Sequence, residues 1–297
     1  MSISKGKTRI GKKTFISCVE PYLYLFPAFF FLILFVYYPF IKNLILSLFR
    51  VNQFRVLRSF TGLENYLRVL KDPSFLQAVM NTFIYVLITV PVSIAIAFLL
   101  ASLCRKRRRF SVVYEVLFAL ALATSDSVMA MIFQIIYNPS FGSLNRILGV
   151  HIDWLGDPRF ALLSLMIIQI WHNIGYNFLF MLAAQRGISQ SVLESAKLDG
   201  VPPIKMQAKI ILPIISPMLF FLLIKDIAYG MTVANYTLIL TGGGPNGKTE
   251  TIITYIYNKA IASTNYNYAF AAAILGFIIS GLFIAMSMSF EKKVHYQ

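Results

Sequence analysis

Long apolar runs alternate with short polar stretches along the whole chain. Six of the runs, roughly residues 22–48, 78–104, 113–137, 160–184, 214–240 and 268–290, each hold enough consecutive apolar residues to predict a helix that crosses a bilayer. Such a crossing takes about 20 helical residues for a core about 30 Å thick. The first run follows a basic segment (Lys5, Lys7, Arg9, Lys12, Lys13), as a secretory leader would. It is too long for a leader and lacks a small-residue cleavage site, so it predicts an anchor that stays. Between the first two runs, residues 62–76 mix Leu63, Tyr66, Leu67 and Leu70 with Glu64, Arg68 and Lys71, the pattern of a connector helix lying at the interface.

Composition strengthens this picture. Hydrophobic residues make up 58% of the 297 and charged residues only 13%, against about half and a quarter in soluble domains. A single water-soluble core could not hide that area. The 26 Phe and 16 Tyr exclude disorder, and 16 Gly exclude a collagen-like chain. The net charge of +15 gathers in tracts between apolar runs, the pattern that orients membrane helices, and not in a nucleic-acid-binding face. Lys and Arg concentrate on the side holding the N-terminus, residues 105–109, the loop 186–209 and Lys292–Lys293. Both termini are therefore expected in the cytoplasm: segment 1–21, a transmembrane domain over 22–290, and a tail over 291–297. Cys18 and Cys104 form neither a disulfide framework nor a metal site, and His151, His172 and His295 are too scattered to hold a metal. No nucleophile–base pair is legible.

The loop after the fourth run has internal order. Ser191 and Glu194 have capping-box spacing. Gly200 suits the left-handed residue that ends a helix. Pro202 and Pro203 suit the opening turn of the next helix. A short helix, a turn and a second short helix are predicted, leading into the fifth run near Pro213.

Glu194-Ser195-Ala196, then Gly200, then Ile210-Ile-Leu212-Pro213 resembles the "EAA" loop of binding-protein-dependent ABC importer permeases. The flanking strings are similar to the carbohydrate-uptake branch, which includes the maltose and glycerol-3-phosphate permeases. They are Gly62-Leu-Glu-Asn65-Tyr66, Asn81-Thr82, Asn138-Pro139-Ser-Phe-Gly142, Trp171-His-Asn-Ile-Gly175-Tyr-Asn177 and Thr241-Gly-Gly-Gly-Pro245. The resemblance runs from about Pro21 to the C-terminus. Ser195 stands where the family prefers Ala, the third run lacks the proline expected near 122–127, and no large outer insertion follows the second run.

The resemblance implies an all-α, six-span type I permease fold at the inner membrane. Its partners would be a second homologous permease, two cytoplasmic ATPase subunits and an extracytoplasmic solute-binding protein. The loop 186–213 would couple to the ATPase through Glu194, Ser195, Ala196, Asp199, Gly200, Leu212 and Pro213, with Ala196 and Leu198 packing the two short helices and Gly200 allowing close backbone approach. No cofactor is expected on this chain, ATP being used by the partner subunits. The solute would be a sugar or related polyol. Tyr176-Asn177-Phe-Leu-Phe180 and the ending Lys293-Val-His-Tyr-Gln297 are similar to the glycerol-3-phosphate member, though sugar permeases share parts of both. An ion-coupled secondary transporter is the alternative reading.

Two further features need placing. Gly242-Gly-Gly-Pro-Asn-Gly247-Lys248-Thr249 satisfies the P-loop pattern letter for letter. No buried strand precedes it and no room exists for an ATPase core, so an outer-face loop is predicted instead. Within the runs lie Asp126, Asn173, Tyr176, Asn177, Asn235 and Tyr236, either lining a path for a hydroxylated solute or bonding helix to helix. Lys225 and Asp226 are also intramembrane. Adjacent helical residues project about 100° apart, so the two are not expected to be each other's partners, and each is expected to reach a neighbouring helix or a water-filled cavity.

Overall fold

The computed structural model describes residues 10–106, 109 and 111–289. The first nine residues, Arg107, Arg108, Phe110 and the tail from residue 290 lie outside them, and with them much of the predicted terminal segments. The opening span is α1 (Ile10–Leu32), a π turn over Ile33–Tyr37, and α2 (Tyr38–Ser47). From Glu20 to Ser47 this is one apolar rod whose apolar window buries no residue inside the molecule. A two-stranded antiparallel hairpin follows, β1 (Phe49–Val51) and β2 (Leu57–Phe60), with Phe49 opposite Phe60. This hairpin is a small departure from the all-α expectation. The predicted interface connector forms α3 (Glu64–Leu70).

Next come α4 (Pro73–Cys104), α5 (Ser111–Ala119), α6 (Asp126–Ile136), α7 (Ser143–Leu148) and α8 (Ala161–Arg186). The loop after α8 carries α9 (Gln190–Leu198), α10 (Pro203–Met206) and α11 (Leu212–Ile214), which lead into α12 (Ser216–Met231). The chain closes with α13 (Ile252–Tyr257) and α14 (Tyr266–Ser289). Among the described residues four helices are long and apolar enough to cross a membrane. A fifth crossing is counted if Pro203–Ile214 and Ser216–Met231, bent by 72°, are taken together.

The six unbroken spans are therefore corrected in two places. The third run is two short helices. A 3-10 turn over Leu120–Ala123 ends at an extended Thr124, and Ser125 caps α6 by accepting the Val128 N–H at 3.4 Å. No proline is needed, because Ser125 favours an N-cap and the Asp126 carboxylate favours a first turn over helix continuation. The fifth run is interrupted as well: Thr232 and Val233 leave the helix after Met231, and a π turn over Thr237–Thr241 ends at Gly242.

Helix α4 is the central post. Small residues on it (Ser93, Ala97, Ala101) are buried where α8 and α12 approach. On α12, a Cβ added at Gly230 would stand 2.9 Å from Val86 Cγ2, so this crossing depends on the glycine. Close approach of small residues is how helices associate in a solvent as apolar as themselves.

Candidate functional site

Helix α8 ends at Arg186, whose guanidinium holds three elements together. Its Nη2 and Nη1 donate to the two Glu115 oxygens at 2.6 and 3.1 Å. Nη2 also donates to Cys104 O at 2.9 Å, and Nε to Arg105 O at 3.3 Å. A bidentate guanidinium–carboxylate pair fixes geometry as well as supplying energy. The ends of α4 and α8 and the middle of α5 are thus tied into one base beneath the loop.

On that base sits the predicted helix–turn–helix. Leu193, Ala196 and Met206 are buried in one cluster with Ala97, Ala101, Cys104, Phe178, Met181 and Leu182. Helix α9 ends as the glycine predicts: Gly200 has φ +70°, its N–H donates to Lys197 O, and the Val201 N–H donates to Ala196 O, both at 3.0 Å. This pair of bonds is a Schellman stop. Pro202 then serves as N-cap, with Pro203 as the first residue of α10.

Three local expectations change. Leu198 does not pack the two helices together; it is 89% exposed, and Ile204 beyond the turn is 83% exposed. The capping box does not form, because α9 already begins at Gln190. Ser191 therefore lies inside the helix, and Glu194 accepts from Gln190 Nε2 at 3.0 Å. Among the described residues no neighbour lies within 4 Å of a Cβ at Gly200, so its role here is the positive φ and not a close approach. Glu194, Ser195, Asp199 and Gly200 all face outward, while Leu212 and Pro213 stand at the bend into α12.

Above the hairpin, the polar residues of the spans gather into two clusters. In the first, Asp126 Oδ2 accepts from Asn235 Nδ2 at 2.5 Å and from Tyr229 OH at 2.9 Å, and its Oδ1 accepts from Tyr236 OH at 3.1 Å. His172 Nδ1 lies 3.1 Å from the Tyr236 hydroxyl and 3.4 Å from Asp126 Oδ1. In the second, the fully buried Asp226 accepts from Asn177 Nδ2 at 2.6 Å and from Ser93 Oγ at 3.4 Å, both on Oδ2. Its Oδ1 meets Lys225 Nζ at 2.7 Å as an ion pair outside hydrogen-bond geometry. Lys225 and Asp226 are therefore partners after all. The 100° offset separates Cβ positions, but the four-carbon lysine stem swings back, with Nζ 3.9 Å from the Tyr176 ring centroid. Asn173 joins neither cluster; it accepts from Gln169 Nε2 at 2.7 Å.

The family described as binding-protein-dependent transport system inner membrane component matches residues 66–295, which take in both clusters and the hairpin. The chain belongs to this family. As such a component it is a permease subunit of an ABC importer. A probable ABC transporter permease protein of Bacillus subtilis (strain 168), YurN, is 34% identical over 92% of this chain and 96% of its own length. The sn-glycerol-3-phosphate transport system permease protein UgpA of Agrobacterium fabrum is 31% identical over 94% and 97%. The structure of a bacterial alginate ABC transporter, in complex with an alginate pentasaccharide-bound periplasmic protein, shares the fold. It superposes with TM-score 0.83 at 21% identity, covering 97% of this chain and 98% of that one.

In this permease the P-loop lookalike is occupied with itself. Thr249 is buried, and its hydroxyl donates to Gly244 O at 2.5 Å and lies 2.7 Å from Thr241 Oγ1. The Lys248 and Thr249 N–H groups are spent on Pro245 O and Gly243 O. A helical turn, not a strand, precedes the loop. The sequence does not single out Tyr229, Ser93 or the Arg186–Glu115 pair, and it shows His172 only as a histidine too isolated to hold a metal. Tyr229 lies three residues from Asp226, on the α12 face that already carried polar groups, and offered the one legible hint.

Proposed function

We propose that the permease forms half of a translocation path for a sugar or related polyol, of the kind represented by sn-glycerol-3-phosphate, and is driven through the hairpin 186–213. The relatives named for sn-glycerol-3-phosphate and for alginate support a hydroxylated, anionic solute. The second homologous permease, two cytoplasmic ATPase subunits and an extracytoplasmic binding protein complete the assembly. Both termini and the hairpin face the ATPase side, where Lys and Arg are densest. ATP is spent by the partner subunits, and this chain hydrolyses nothing.

One observation carries the coupling role: the hairpin is buried on the inside by Leu193, Ala196 and Met206 and offers Leu198, Ile204 and Glu194 on the outside. Large apolar residues at the tip of a charged loop mark a docking surface. The 72° bend makes the far arm of that surface α12 itself, which bears Lys225, Asp226 and Tyr229. Displacement of the tip turns α12 against α4, and the Asp126 cluster, which joins α6 to α12 and the residues beyond it, moves with it. Asn235, which is exposed, and the half-buried Asp126 and Tyr176 supply the donors, acceptors and ring face that a polyhydroxylated solute needs, whereas Tyr236, Asn177 and Asn173 are buried. This is alternating access around a polar interior.

The test is Gly200→Asp in the assembled transporter. We expect normal membrane insertion with loss of ATP-dependent uptake, together with loss of cross-linking from a cysteine at Glu194 to the ATPase. Uptake at the wild-type rate in that variant would remove the hairpin from the mechanism.

A further inference from the structure

Where α4, α8 and α9 meet, a cavity of about 440 Å³ opens between Arg105, Lys106, Arg186 and Lys197. Arg186 is already engaged by Glu115. Among the described residues, Arg105, Lys106 and Lys197 form no ion pair with a carboxylate. Arg105 Nη1 is in addition buried without a hydrogen-bond partner, and burial presses the pKa of this guanidinium down. A buried cationic N–H without an acceptor is costly, and an anion entering the cavity removes the cost. The chain leading to these cations is apolar and turned outward. Leu99 and Leu103 on the last turns of α4 are 61% and 73% exposed, and Val112 at the start of α5 is 69% exposed. Cations placed just beyond a bilayer-facing apolar surface stand at headgroup depth.

We propose that this cavity binds the phosphate headgroup of an anionic phospholipid, whose acyl chains lie along Leu99 and Leu103. The Arg105 fork takes two phosphate oxygens, and Lys106 and Lys197 act as point charges around them. Lys197 belongs to α9, so a seated headgroup ties the hairpin to the end of α4 through a ligand supplied by the membrane. Free phosphate has the same headgroup chemistry but nothing to lay along the leucines. The consequence for coupling rests on the reading of the hairpin given above; the site itself rests on the cavity and its unpaired cations.

The experiment counts lipid, not uptake. The assembled transporter is extracted from bilayers holding equal phosphatidylglycerol and phosphatidylcholine, and retained lipid is measured by native mass spectrometry. Wild type is expected to retain phosphatidylglycerol preferentially. Combined Arg105→Gln, Lys106→Gln and Lys197→Gln should lose that preference, by about fivefold per cation. Arg105→Lys with Lys106→Arg and Lys197→Arg should keep most of it, which separates lost charge from lost folding. Equal retention by the neutral variant and wild type overturns the proposal. Displacement of the lipid by millimolar inorganic phosphate also overturns the lipid assignment, in favour of a soluble phosphate. An uncoupled hairpin would leave the lipid count unchanged, so the two readings fail separately.

Discussion

Asp226 is fully buried, and three side chains depend on it: the Lys225 ammonium, the Asn177 amide and the Ser93 hydroxyl. Its charge is tolerated because Lys225 is itself held against the Tyr176 ring. Removing one member of a buried pair strands the other. Asp226→Ala is accordingly expected to destabilise the permease by about 3–5 kcal/mol, read as thermal unfolding in detergent. Replacing Lys225 and Asp226 together by Met and Leu should cost less than Asp226→Ala alone. A double variant less stable than the single one would show that the pair is not the unit. At this scale the sequence revealed which residues carry polarity at membrane depth but not who meets whom. Asp126 and Asn235 lie far apart in the chain, and only the folded path brings the amide to the carboxylate.

Among the elements, α9 and α10 were the most legible, because their stops and starts are local chemistry. A glycine with φ +70° and a proline pair need no tertiary information. The break before α6 was harder to see. Thr124-Ser125-Asp126-Ser127 is a start signal embedded in an apolar run, and hydropathy alone reads through it. At the opposite end of the molecule, α13 is fastened to the start of α4 by Asp72. This carboxylate accepts from Tyr255 OH at 2.7 Å and from the Ser74 N–H at 2.9 Å, with Lys259 Nζ at 3.2 Å. Burial acts to raise the Asp72 pKa, but the hydrogen bonds and Lys259 outweigh it and leave it below its ordinary 3.8. A carboxyl with a lowered folded pKa stabilises fully above the unfolded value and loses that contribution as pH falls through the folded one. The melting-temperature gap between wild type and Asp72→Asn should therefore be open at neutral pH and close in acid. A gap that widens on acidification would contradict the clasp.

For the whole molecule, hydropathy identified the solvent and the class, and the family match agrees with both. It overcounted uninterrupted crossings because it assumed that every apolar run is one helix. Glu20–Ser47 illustrates the converse: it is one long rod with a π turn, its α2 end packs on α14 with the Phe40 and Phe277 rings 5.0 Å apart, and its apolar window buries nothing inside the molecule, which leaves that stretch for lipid or another subunit. The interruption between α5 and α6 has a consequence of its own. The backbone is extended at Thr124 and Ser125, and the Ser125 carbonyl already accepts the first bond of α6, from the Met129 N–H at 2.9 Å. Ser125 is exposed next to Asp126 and its cluster, and an ionisable group at membrane depth faces the bundle interior or a water-filled cavity, so water is expected to reach this level from one side of the membrane. A cysteine placed at Ser125 should react with a charged, membrane-impermeant thiol reagent, whereas one at Leu117, on the intact turns of α5, should not. Equal inertness at both positions would mean that this depth is dry.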